Sequence, residues 1–307
     1  METKRTNVTK DGLTEGDLKL LVRGGYDVQK LRISAGNRVC AQFFAKMGQE
    51  PGMKQEDIPD SKKQTMLAQV RKEFDKITEG AAKSLRNVTF LEDGVISNSA
   101  ELFLVAEWSG LRHAEDEQFN RIKRLVRDFP LWKSFFKDVY GVGEIMAGVI
   151  MSEIDIHKDE YPSSVWAYCG LDIGPDGRGR GKYTEHLVDY EYLDKDKQKQ
   201  TRKGITFNPH VKSKLLGVLA GSFLRAKSKA KSGQETYADI YYSYKNRIEN
   251  MPAHEEKSKG HRHNMANRYM IKMFLVDVYV AWRTLENLPV SNTYAEGKLG
   301  IVHGKAS

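Results

Sequence analysis

The feature that most constrains this chain is helical periodicity that runs through most of its length. In "TEGDLKLLVRGGYDVQKLRISAGNRVCAQFFAKMG", Leu18, Leu21, Val28, Leu31, Ala35 and Val39 recur at the spacing of one helix face. Gly24 and Gly25 fall inside that pattern and predict a break or a kink. "EPGMKQEDIPDS" reads as a linker, and Asp60 or Ser61 is placed to cap the helix through "KKQTMLAQVRKEFDKITEGAAKSL". Asn98 or Ser99 is placed to cap "AELFLVAEWSGL". "DEQFNRIKRLVRDF" then carries Phe119, Ile122, Val126 and Phe129 on one side, before Pro130 interrupts.

After Pro130 the pattern changes. "LWKSFFKDV" leads into "YGVGE", and "SSVWAYCGLDI" reads as a short helix ending at Gly170. "GPDGRGRGK" reads as a flexible basic loop, and "YTEHLVDYEYL" alternates as a strand or hairpin does. "NMANRYMIKMFLVDVYVAWRTLEN" predicts a strong late helix with Tyr269, Met273, Val276 and Val280 on one stripe. The expected organisation is mainly α. An N-terminal helical region spans 1–129 and a helix-hairpin-helix domain with a small β element spans 130–288. A tail follows at 289–307.

Composition narrows the class. No apolar run approaches the ~20 residues of a spanning helix, so no membrane partner is expected. "METKRTNVTKDG" lacks the apolar core of a secretory signal. Cys40 and Cys169 stand alone, which argues against a disulfide framework or a zinc site and points to a reducing cytoplasm. The net charge is +8, and it is concentrated. From Lys195 to Ser232 there are eleven Lys or Arg and one Asp, a net of +10. Such a block is the footprint of a polyanion partner, or else a solvated loop. Here it encloses a helical pattern, "NPHVKSKLLGVLAGSFLRAK".

"YGVGE" admits two readings. In a helix-hairpin-helix, Gly141 and Gly143 supply the tight backbone, Val142 plugs the core and Ala147 lets the helices approach. The N–H groups opening the second helix then hold a nucleic-acid phosphate. The plain reading is a packing turn, and Glu144 competes with a phosphate for the helix N-terminus. In "RGRGK", Arg178, Arg180 and Lys182 form either a phosphate clamp or a disordered basic loop. Arg202, Lys203, Lys212 and Lys214 are the cations of the basic block. Arg262, Asn264, Asn267 and Arg268 form either the polar face of a helix or contacts to phosphate and base edges. His261 and His263 lack further ligands at metal spacing. Tyr237, Tyr241, Tyr242 and Tyr244 either stack on bases or pack. Ser163 and Ser164 read as helix caps rather than nucleophiles.

Taken in order, "VYGVGEIMAGVIMSEI", "SSVWAYCGL", the glycine-rich loop and "VKSKLLGVLAGSFLRAK" resemble the C-terminal domain of the insertion sequence 110/116/902 family of transposases, over residues 130 to 285. The resemblance implies DNA binding in transposition or recombination, with DNA as partner. By analogy it also allows a guide or structured RNA and a homo-oligomer. Members cut DNA with a RuvC-like N-terminal domain holding metal and with a serine in the loop after "AYxGL". Here Gly177 or Arg178 stands where that serine belongs. The N-terminal acids Asp11, Asp17 and Glu73 are scattered over helical and loop patterns. Catalytic residues therefore stay unassigned and no cofactor is expected; a divalent metal would enter only with a cryptic nuclease site. The alternatives are a non-catalytic DNA- or RNA-binding protein derived from a transposase and an interaction protein whose basic face meets an acidic partner.

Overall fold

A computed structural model describes residues 5–49, 57–79, 85, 88–231 and 233–292. The protein is mainly α. The long helices are α1 (Glu15–Lys46), α2 (Asp60–Thr78) and α3 (Ser99–Val126), followed by α4 (Pro130–Ser134), α5 (Glu144–Glu153) and α6 (Pro162–Tyr168). An antiparallel ribbon of β1 (Val188–Leu193) and β2 (Lys199–Gly204) comes next. The chain ends in α7 (Pro209–Lys214), α8 (Ala220–Lys227), α9 (Tyr237–Glu249) and α10 (Lys259–Leu285), with a π-helical turn, Leu215–Leu219, joining α7 to α8. Among the described residues no helix is long and apolar enough to cross a membrane.

The chain divides into two compact units. One is Leu20–Arg121; the other is Met1–Lys19 with Ile122–Ser307. The division therefore falls inside α3 rather than at Pro130, and the N-terminal segment belongs with the C-terminal part. The reason is specific hydrogen bonding. The buried Glu286 carboxylate accepts the backbone N–H groups of Thr6 and Asn7, each at 2.7 Å, and Asn7 Oδ1 accepts Leu131 N–H at 3.0 Å.

Within Leu20–Arg121, Ala35, Val39, Phe43, Met66, Val70, Leu102, Val105 and Trp108 form the core. α1 runs through Gly24 and Gly25 without a break. Its buried face keeps Leu18, Ala35 and Val39 of the expected stripe, but Leu21 and Leu31 are exposed while Val22, Tyr26 and Gly36 are buried. Small residues decide this. A Cβ at Gly36 would lie 3.1 Å from Trp108 Nε1, so glycine there lets the tryptophan pack closely on the helix. The two expected helices before Pro130 are one, α3, and Asn98 Oδ1 caps it by accepting Glu101 N–H at 3.0 Å. α2 begins at Asp60 itself, after Pro59, with no side-chain cap. Glu73 is buried and accepts Val95 and Ile96 N–H at 2.9 and 2.8 Å, which occupies it structurally.

The other unit is organised on α10, which packs on α9 and α6. Phe136, Phe223, Tyr237 and Phe274 pack their rings together in its core. The buried face of α10 runs through Met270, Phe274, Val278 and Trp282. Of the stripe expected from the sequence, Val280 is exposed. Tyr269, Met273 and Val276 instead line a cavity of about 430 Å³ against α9. A helix packed on more than one side carries two apolar stripes, and period alone does not rank them. Ser163 and Ser164 lie inside α6, whose N-cap is Tyr161, so neither is a cap.

Candidate nucleic-acid interface

The end of α6 sets the site. Gly170 takes a left-handed backbone (φ +64°). Its N–H bonds Ala167 C=O at 3.0 Å, and Leu171 N–H bonds Trp166 C=O at 2.8 Å. This is a Schellman ending, and it turns the chain sharply into Asp172. The glycine-rich loop then folds back on itself. Ile173 pairs with Gly179, Arg180 N–H bonds Asp172 C=O at 2.9 Å, and Gly174 N–H bonds Arg178 C=O at 2.7 Å. The expected flexible clamp is thus a miniature hairpin. Gly179 leaves room on its underside for the Arg268 guanidinium, which a Cβ there would push aside.

Four cations gather around the α6 ending and the loop behind it, and one of them binds Asp172 directly. Arg180 donates Nε and Nη2 to Asp172 Oδ2 at 3.0 and 2.6 Å. Arg268, from α10, donates to Gly170 C=O at 3.1 Å. Lys212, from α7, donates Nζ to the Arg180 carbonyl and stands 4.7 Å from the Phe207 ring centre. Lys272, one turn beyond Arg268, stands 5.0 Å from the Trp166 ring centre. Burial, and then the charge of Arg268, pull both lysines below the ordinary lysine range. Burial likewise lowers Arg268, against the attraction of Asp172. The cluster is net positive, and Asp172 Oδ1 is buried without a hydrogen-bond partner. Half-buried cations with one shared carboxylate are costly to hold, and an incoming anion relieves that cost.

The other expected residues fall in three places. Gly141 is left-handed (φ +98°), but it serves packing. A Cβ there would lie 2.8 Å from Phe223 Cδ1, and its carbonyl accepts Ser222 Oγ at 2.7 Å. Val142 is buried, as a plug would be. Gly143 has ordinary extended backbone (φ −95°) and open space around it. Burial would raise the Glu144 carboxyl, but its own N–H and the Arg127 guanidinium hold it below the ordinary value. Its side chain thus occupies the opening of α5, where the hairpin reading puts a phosphate. Asn267 is also withdrawn from the surface. It is buried and bonds His263 Nε2 at 2.9 Å, while His263 Nδ1 meets Tyr241 OH at 2.6 Å. Arg262 donates to the His254 carbonyl at 3.2 Å.

Exposed cations make the third group. Arg178 is exposed and pairs with Asp176 at 2.6 Å, and Lys182 is exposed. Arg202 and Lys203 are exposed on β2, and Asn264 on α10. Lys214 is half-buried on α7. The structure thus brings Arg180, Lys212 and Arg268 together. The sequence shows Lys272 in the same run as Arg268 without marking it as a site residue, and it does not point to Asp172. Lys272 was accessible through its i,i+4 spacing from Arg268 on one helix; the position of Asp172 depends on the α6 ending.

Compared with known proteins, the chain matches no family model, no curated protein and no solved structure.

Proposed function

We propose that this protein binds nucleic acid by its phosphate backbone and acts on DNA as a transposase-like protein in transposition or recombination, within a reducing cytoplasm. The observation that carries the reading is the gathering of Arg180, Lys212, Arg268 and Lys272 around the α6 ending and its loop, where Asp172 is the carboxylate that Arg180 binds. A phosphate supplies the missing negative charge, and two guanidinium groups and two ammonium groups offer it donors. Three of the segments that carry the transposase resemblance meet there: the "AYCGL" helix end, the glycine-rich loop and the "VKSK" helix. The contact is to backbone, so it sets register and affinity without reading bases. Cys40 and Cys169 are both free and buried, in keeping with the reducing compartment.

The test is equilibrium binding of a labelled mixed-sequence duplex, and of the matching RNA, at rising salt. Binding near ~50 mM salt that weakens steeply toward ~200 mM is expected for several phosphate contacts. No binding at low salt, or a flat salt response, overturns the reading in favour of an acidic protein partner.

A further inference from the structure

The ribbon of β1 and β2 is exposed along both strands, with every residue of β1 open to solvent. Its tip is nevertheless closed by hydrogen bonds. Asp194 Oδ1 accepts the N–H groups of Asp196 and Gln198, both at 2.9 Å, and Lys197 takes the left-handed conformation that closes the turn. The ribbon is therefore a preformed projection.

Its two faces differ sharply in chemistry. Directly opposed residues of an antiparallel pair share a face. Asp189 opposes Lys203, Glu191 opposes Thr201 and Leu193 opposes Lys199, with Lys199 Nζ 3.6 Å from Glu191. That face holds both strand acids, together with Lys199 and Lys203. The other face pairs Tyr190 with Arg202, and Tyr192 with Gln200. It carries a cation, two aromatic rings and no acid. The Arg202 guanidinium lies 5.3 Å from the Tyr192 ring centre. Tyr190 lies over Gly204, where a Cβ would come within 2.7 Å of its ring, and its hydroxyl donates to Ile205 C=O at 3.2 Å. Both rings stay about two-fifths exposed, Tyr190 at 43% and Tyr192 at 42%.

Resting on the phosphate-binding reading above, we infer that the Tyr190–Arg202–Tyr192 face is a platform for unpaired bases of a single-stranded nucleic acid. Tyrosine rings and a guanidinium plane stack on any base, and the positive charge suits the adjoining phosphates. A two-stranded ribbon also fits the major groove of duplex DNA. There, however, it is flanked by both phosphate backbones, which brings Asp189 and Glu191 close to negative charge. A strand lying along the tyrosine face leaves those acids turned away.

The experiment compares mixed-sequence single strands with the matching duplex, on wild type, Tyr190→Ala/Tyr192→Ala and Lys212→Gln/Lys272→Gln. The tyrosine variant is expected to lose at least about fivefold in single-strand affinity per ring removed. Its duplex affinity should stay near wild type. Equal single-strand affinity of wild type and tyrosine variant overturns the inference. If the lysine variant still loses affinity in that case, the phosphate reading survives without the platform. Photo-crosslinking of a halogenated single strand to the wild-type chain guards against unravelling of the mutant ribbon. Adducts at Tyr190 or Tyr192 support the platform, and adducts confined to other elements overturn it.

Discussion

The buried imidazole of His186 donates from Nε2 to Asp176 Oδ1 at 2.9 Å. Gly181 N–H donates to its Nδ1 at 2.9 Å, so the neutral ring carries its proton on Nε2. The ring fills the space beneath Gly174, where a Cβ would lie 2.2 Å away. One side chain thus ties both ends of the glycine-rich loop, and the loop carries Arg180 to Asp172.

Replacing this histidine should loosen the loop. His186→Ala strands the Gly181 N–H and opens a cavity, at an expected cost of about 2 kcal/mol. Urea unfolding measures it. Hydrogen bonding to His186, then to the Arg178 N–H, holds the Asp176 carboxyl well below the ordinary range. Its stabilisation is therefore present above the unfolded value of about 3.9 and is lost only as pH falls through the lower folded value. The wild-type loop should stay protected from hydrogen exchange down to about pH 4.

The two hairpin glycines should respond differently. Gly141→Val forces a left-handed β-branched residue against Phe223 and should destabilise by about 2 kcal/mol or more. Gly143→Ala meets open space with ordinary backbone and should stay within about 0.5 kcal/mol of wild type. Equal effects in urea unfolding would contradict the assignment of Gly141 to packing.

Asp159 gives a pH dependence of opposite sign. Burial, with the nearby Asp155 charge, raises its carboxyl to about 6 against the pull of Arg283. The folded state then holds the proton more tightly than the unfolded chain, so stability falls as pH rises through the interval from about 4 to 6. The penalty is complete above that interval. Asp159→Asn should flatten this slope and raise the melting temperature at pH 7, as thermal melts across the interval would show.

Much of the fold was legible because its signals are local. The period of apolar residues gave the helices, Asn98 gave a cap, and "AYCGL" gave the turn at Gly170. What was hidden depends on close approach between segments distant in sequence. Gly36 under Trp108 and Gly179 over Arg268 look like breakers in a sequence, yet each is a contact surface. The basic run also has partners that lie outside it in sequence. β1 brings Asp189 and Glu191 beside Lys203 and Lys199, so part of that charge is spent within the ribbon. The cations left at the site come from the loop, α7 and α10, which no single stretch reveals.

The central claim, that the cation cluster holds a backbone phosphate, is tested most directly by the salt dependence of duplex binding in Lys212→Gln/Lys272→Gln. Both side chains can lose their charge without breaking the Arg180–Asp172 or Arg268–Gly170 contacts. The slope of log K against log salt should become shallower by about 0.9 for the phosphate lost, with weaker binding at low salt. Circular dichroism should match wild type. A folded variant with the wild-type slope and affinity would contradict the account.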